Sequence, residues 1–402
     1  MKHNYDVVIA GAGIIGLAIA RSLLMQESKL KVLIVEKESV LGAHASGRNS
    51  GVLHAGFYYS PDSLKAKFCR DGNAEIRKLA EKHAIPVRDV GKVVVARNAE
   101  ELLRLEVLFK RGQENGVQLD FLGAEDLVNF EPLAKTHGAF LWSPTTGVSD
   151  PSKVINALAN EVLAMGGEIR FGASLEVGEN QRLSIDCEIL TAKHFVNASG
   201  SQSDRIAHKF NLGLDYSMIP FMGVYRAVAA DQLPLRSLVY PVPHPLNPFL
   251  GVHFTLTSDN QVKIGPTAIP ILGREQYGIT KGWVLHDIQS TLTGLISMLR
   301  HGAHDLPALI RSEWPKVLER TLVSESSQLV PSVTEIRGWH RKPPGIRSQL
   351  IHMPSGKLEQ DFIINEDSKS THILNAVSPG WTSALPLGKY VSERILDRIQ
   401  FS

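Results

Sequence analysis

A glycine-rich turn, Gly11-Ala12-Gly13-Ile14-Ile15-Gly16, limits what this chain can fold into more than any other stretch. It follows an apolar run from Asp6 to Ala10 and opens a helical pattern from Ile14 to Met25. A second apolar run, Val32 to Glu36, ends on an acid twenty residues after Gly16. The spacing predicts strand, turn, helix and strand, a βαβ unit at the start of the chain. In such a unit Gly11 makes the tight turn, Gly13 lets the backbone approach a pyrophosphate, and Gly16 permits close helix–strand packing. The helix N-terminus then offers free N–H groups and the positive end of its dipole to the phosphates. A carboxylate at Glu36 accepts hydrogen bonds from ribose hydroxyls and repels a 2′-phosphate, which argues against NADP. The turn does not separate NAD from FAD. No second GxGxxG follows for a nicotinamide cofactor beside a flavin, and no CxxxxC pair supports a disulfide reductase.

At 402 residues the chain exceeds what one core usually supports, so two domains are expected. Its 43% hydrophobic and 21% charged residues are ordinary for a globular enzyme, and a net charge of +2 gives no reason to expect a nucleic-acid partner. Cys69 and Cys187 stand far apart without CxxC or histidine neighbours, so neither a metal site nor a disulfide is expected and a reducing compartment fits. The polar start, Met1 to Asp6, carries no signal-peptide pattern, and no apolar run spans a bilayer. The stretch around Trp283 to Leu299 reads as an amphipathic helix packed on its own domain, with membrane-surface contact as the second reading. The expected location is cytoplasmic, with peripheral attachment to the inner face of the membrane left open.

Along the chain, helices are predicted over Leu64–His83 and Glu100–Asn115, with a strand over Val90–Ala96 between them. Asp150-Pro151 starts another helix, with Asp as N-cap and Pro at the first helical position. The middle, Met218 to Gly265, is strand-rich, and helices dominate from Trp283 to Glu319. Strands are predicted again over Asp361–Ile364 and Thr371–Leu374, then a final helix from about Gly380. This order implies an α/β protein. Its Rossmann-type FAD-binding domain is assembled from 1–85, 150–215 and 345–402. An inserted antiparallel β-sheet plus helix substrate domain comes from 86–149 and 216–344.

The loop after Glu36 is too long for an ordinary connection, and long ordered loops tend to be functional. It reads Gly47-Arg48-Asn49-Ser50-Gly51-Val52-Leu53-His54-Ala55-Gly56-Phe57-Tyr58-Tyr59, followed by Lys65 and Cys69. Further motifs are Tyr240-Pro241-Val242-Pro243, Pro248-Phe249-Leu250-Gly251-Val252-His253, Gly345-Ile346-Arg347-Ser348-Gln349 and Asn375-Ala376 with Ser378-Pro379. In these motifs, over most of its length, the chain resembles the L-2-hydroxyglutarate dehydrogenase/oxidase family, within the D-amino-acid-oxidase-like, glutathione-reductase-type class of flavoproteins. The resemblance implies FAD held by Gly11, Gly13 and Gly16 at the pyrophosphate, with Glu36 and its neighbour Lys37 at the ribose. Ser46, Arg48, Asn49 and Ser50 would line the flavin, with Gly200 and the Gly380, Trp381, Thr382 turn beside it. It also implies a final helix that aims its positive end at the flavin.

Oxidation of a secondary alcohol needs a base of near-neutral pKa, and histidine is the natural choice. His54 and His253 are the candidates, one acting as base and the other orienting substrate. Arg347 is the candidate clamp for a carboxylate, with Tyr58, Tyr59 and Lys65 as weaker substrate contacts. Two positions depart from the family pattern: Met222 stands where an arginine is common, and Trp381 follows Gly380 where two small residues are more frequent. The implied activity is oxidation of a 2-hydroxy acid, L-2-hydroxyglutarate first, with a quinone, another electron carrier or dioxygen as acceptor. The alternatives are an amino-acid or secondary-amine oxidase of the same class and a non-catalytic flavin-binding redox protein.

Overall fold

The strand His3–Ala10 alternates its side chains between two cores. Val7 and Ile9 enter one apolar cluster, and Val8 and Ala10 the other. The computed structural model describes residues 3–244, 249–278 and 282–400, so Met1 and Pro248 of the sequence motifs lie outside the described residues. The His3–Ala10 strand pairs in parallel with Val32–Val35 on one side and Glu188–Asn197 on the other. Glu168–Arg170 and Ser370–Ile373 extend the sheet, also in parallel. Leu175–Val177, Leu183–Ile185 and Ile364–Glu366 complete eight strands among the described residues. Helices Ile14–Gln26, Pro151–Ala164, Leu64–Lys82 and Ala384–Gln400 share the cluster on one face. This is the Rossmann-type layer expected from the fingerprint.

The second sheet holds ten strands among the described residues and is mostly antiparallel. Its long central pair is Tyr216–Ala229 with His340–His352. Gln261–Gly265, His253–Leu256, Leu238–Pro241, Lys92–Val95, Ala139–Ser143 and Asp120–Gly123 follow in spatial order. One pair, Lys92–Val95 with Leu238–Pro241, is parallel. The His340–His352 strand crosses the expected boundary at 345 and stands in the second sheet throughout.

Asp150 caps its helix as expected, its Oδ1 accepting from the N–H of Ser152 at 2.9 Å, with Pro151 in the first turn. The stretch after Trp283 is helical as expected, in Leu285–His301, Leu306–Glu313 and Glu319–Ser326, the first ended by Gly302 in the left-handed conformation. Two local expectations are corrected. Asp361 is no strand residue. Its carboxylate accepts from the N–H groups of Leu64 and Lys65 at 2.8 and 2.9 Å, capping the Leu64–Lys82 helix. The final helix begins at Ala384, and residues 378–383 form turns. No helix among the described residues is long and apolar enough to cross a membrane.

Candidate active site

Between the two sheets lies a cavity of about 1320 Å³. It runs from the glycine turn and Glu36, past the 46–59 loop, to His253 and Arg347 on the second sheet. All the site residues named from the sequence line it except Gly16. Gly16 acts one layer back: a Cβ there would stand 2.0 Å from the carbonyl oxygen of Gly11, so only glycine lets the helix seat on the turn. Gly11 itself has φ of +101° and donates its N–H to the oxygen of Val35 at 2.8 Å.

The Rossmann end is shaped for a dinucleotide. The helix Ile14–Gln26 has no side-chain cap at Gly13, which leaves N–H donors to a ligand, and Ser46 Oγ accepts from Ile14 N–H at 3.0 Å. Glu36 Oε2 accepts from Ala12 N–H at 2.8 Å and Oε1 from Glu38 N–H at 3.0 Å, fixing the carboxylate at the cavity wall. Gly200, with φ of +59°, faces open space where a Cβ would stand. Lys37 is tied to Glu275 at 2.5 Å, and His44 bridges Glu38 and Tyr277 at 2.8 and 3.0 Å. These contacts make an ionic lip over the same region. Arg48 braces the loop, donating to Ala43 O at 2.7 Å and lying 4.1 Å from the centre of the Tyr277 ring. Asn49 folds the loop on itself, donating to Ser46 O at 2.6 Å and accepting from Gly51 N–H at 2.9 Å. His54 Nδ1, the Tyr58 hydroxyl and Trp381 Nε1 are buried on the wall with no protein partner among the described residues, the condition of groups that meet a ligand. These residues fit FAD.

At the other end the histidines come together. Burial holds His54 well below its ordinary value, with Lys92 and then His253 adding to the effect. Burial likewise takes His253 down to about 3, although Gly251 O accepts from its Nδ1 at 2.8 Å. A carbonyl oxygen can only accept, so the proton sits on Nδ1 and Nε2 is left as a lone-pair acceptor. The His253 ring stacks on Tyr240 with centroids 3.8 Å apart. Tyr58 and Tyr59 are raised well above the usual phenol value, chiefly by burial, and stay protonated. Burial lowers Lys65 to about 8, against the pull of Asp361.

Arg347 makes one hydrogen bond among the described residues, to Thr267 O at 3.4 Å, and lies 5.5 Å from the Phe249 ring centre. Its remaining donors have no hydrogen-bond partner among the described residues. Met222 does not compete with it. Phe221 pairs with Arg347 and Met222 with Ile346, so Met222 and Arg347 stand on opposite faces of the ladder. Met222 packs with Ile269, Ile271 and Ile346. Trp381 closes the wall from the first core cluster rather than from the second sheet.

Sequence reasoning missed Lys92 and the role of Tyr240. The signal for Lys92 was a lysine opening the apolar run Val93-Val94-Val95, in a strand buried at every position.

Residues 6–394 match the model of a family described as FAD dependent oxidoreductase. The chain is 33% identical to a mitochondrial L-2-hydroxyglutarate dehydrogenase of Caenorhabditis briggsae, over 99% of this chain and 94% of that one. It is 34% identical to the L-2-hydroxyglutarate dehydrogenase of Indibacter alkaliphilus, over 98% and 100%. Among solved structures, the dithionite-reduced L-alpha-glycerophosphate oxidase of Mycoplasma pneumoniae, with FAD bound, superposes with a TM-score of 0.75 at 24% identity, covering 98% and 95%. That likeness bears on the fold. With its glycine turn, its acid at the end of the second strand and its cavity between two sheets, the chain belongs to the FAD-dependent oxidoreductase family.

Proposed function

We propose that this chain oxidises the hydroxyl of L-2-hydroxyglutarate, or of a close 2-hydroxy acid, to the 2-oxo acid. The reading is supported by the near full-length relatives that bear that name. The observation that carries it is one cavity wall bearing two buried imidazoles and Arg347. Arg347 holds the substrate carboxylate through two parallel N–H donors, which fixes the orientation of the adjoining carbon. Lys65 supplies a second cation for the other carboxylate. His54, with no protein partner on Nδ1, takes the hydroxyl proton. His253, pinned by Gly251 and stacked on Tyr240, orients the hydroxyl. Bound FAD supplies the acceptor for the hydride that leaves the same carbon. Tyr58 and Tyr59 stay protonated and exclude water from the wall.

The acceptor that reoxidises the flavin is a quinone in this reading, ahead of another carrier or dioxygen. Leu285, 82% exposed, and Leu292, Ile296 and Leu299 form an exposed apolar row on the Leu285–His301 helix. That row supports peripheral attachment at a membrane surface, which sedimentation with lipid vesicles tests. The experiment for the main reading is anaerobic titration of the yellow holoprotein with L- and D-2-hydroxyglutarate, glycerol 3-phosphate and a D-amino-acid panel. Bleaching by the L-hydroxy acid alone is expected. Bleaching by an amine instead would replace this reading with an amine oxidase, and bleaching by none with a flavin-binding redox protein.

A further inference from the structure

Lys92 is fully buried, and its ammonium has no hydrogen-bond partner among the described residues. Its Nζ lies 4.6 Å from the ring centre of Tyr240, 4.9 Å from that of Tyr58 and 5.0 Å from that of Phe57, a three-sided aromatic cage. The sheet order explains the arrangement. Tyr240 stands on the middle strand of three, with Lys92 on the neighbour to one side and His253 on the neighbour to the other. A side chain meant only to fill this space would be apolar, because stripping an ammonium of water is costly and three ring faces return only part of that cost.

We propose that Lys92 is a positioning residue for the histidine pair: its caged ammonium clamps Tyr240 against His253 and sets a fixed positive charge behind the cavity wall that bears both imidazoles. This rests on the reading of His54 and His253 as base and orienting residue. The groups around the cage leave the ammonium without an anion to neutralise it. Tyr58, Tyr59 and Tyr240 are raised phenols. Burial holds the Cys69 thiol at about 12. Lys65, on the same helix as Cys69, and Arg347, on the His340–His352 strand, are cationic. Burial is the first cause that keeps the two imidazoles neutral, and the charge of Lys92 adds to it, more at His54 than at His253, where Arg347 outweighs it. Burial brings Lys92 itself down to about 7, so its charge is present over the acid range in which a histidine would otherwise bind a proton.

The test is the titration of the histidine ring nitrogens by ¹⁵N NMR in the holoenzyme, alongside the acid limb of anaerobic flavin reduction, for the parent, Lys92→Met and Lys92→Arg. In Lys92→Met the His54 ring titration and the acid limb are expected to move up by up to about one pH unit and the His253 titration by less, while Lys92→Arg, which keeps the cation, leaves them in place. Ring titrations unmoved in Lys92→Met would overturn the proposal, whatever that variant does to stability or rate. If Lys92→Met does not fold, Lys92→Gln, which removes the charge but keeps a polar side chain of similar reach, is titrated in its place and read in the same way. The ring measurement does not depend on turnover. Wild-type flavin reduction in His54→Ala would thus remove the base assignment and leave the role of Lys92 to be decided by the ring titrations alone.

Discussion

At His54 the backbone is held on three sides while the ring is left to the cavity. Its N–H donates to Thr382 Oγ1 at 3.2 Å, and its carbonyl accepts from Asn73 Nδ2 at 3.1 Å and from Cys69 Sγ at 3.5 Å. Truncation of the ring leaves these contacts intact. His54→Ala should therefore retain FAD and slow anaerobic flavin reduction by roughly 10²–10⁴-fold, the range for a lost general base. Arg347→Ala should act differently, raising the substrate concentration needed for half-maximal reduction about tenfold or more, with a smaller change in the limiting rate. Stopped-flow reduction across a substrate series separates the two, and a His54→Ala rate equal to the parent's would reassign the base. Both residues were legible in the sequence because each sits in a short motif that resembles a family pattern, and both line the cavity. Lys92 and Tyr240 were not legible as a pair. Their contact depends on the parallel pairing of Lys92–Val95 with Leu238–Pro241, which no local pattern encodes.

Among the elements, the turn at 378–383 carries the most consequence for its length. It brings Gly380, Trp381 and Thr382 to the cavity and lies against the Leu64–Lys82 helix at Gly72. A Cβ on Gly72 would stand 2.0 Å from the carbonyl oxygen of Thr382, a backbone atom that cannot swing aside. Gly72→Ala should push the turn off the helix and destabilise the fold by about 1–3 kcal/mol. Because Thr382 Oγ1 also accepts from His54 N–H, the variant should lose FAD on gel filtration while its far-ultraviolet dichroism is kept. Full flavin retention would show that the turn tolerates displacement. The expected start of the last helix near Gly380 was four residues early for a readable reason. Pro386 lies in the first turn of the observed helix, where its missing N–H costs nothing, and it points to a start at Ala384. With that start, the turn's own backbone and side chains, rather than a helix end at Gly380, meet the cavity. By contrast the βαβ opening, the Asp150-Pro151 start and Glu36 were legible, because strand period, cap chemistry and glycine sterics are local.

Across the whole molecule the two layers are joined by buried charge. Arg274 pairs through both terminal nitrogens with Asp204, whose Oδ2 also accepts from Met218 N–H at 3.0 Å, and Arg205 pairs with Asp287 at 2.6 Å. Buried histidines set how this assembly responds to acid. Burial lowers His194 and His372 to about 4 and His253 to about 3. In the first sheet His194 bonds Thr371 Oγ1 at 2.9 Å, and His372 bonds Asn197 and Ser370, both at 3.0 Å, in arrangements that suit neutral rings. Unfolded, all three titrate near 6.5. Above that pH both states are neutral at these sites and the full contribution to stability is present. As pH falls from 6.5 the unfolded chain takes up protons that the folded chain refuses, so stability drops by up to about 1.4 kcal/mol per pH unit for each histidine, until the folded rings protonate near 4 and 3. Urea midpoints should therefore fall steadily between pH 6.5 and 5, before the carboxylates contribute much, with an unchanged denaturant slope. A His194→Gln, His372→Gln double variant should flatten that fall even if its midpoint at neutral pH is lower. A flat profile in the parent would mean that these rings already carry protons in the native state, and that the neutral network joining Asn197, Ser370 and Thr371 is not the one that holds the first sheet.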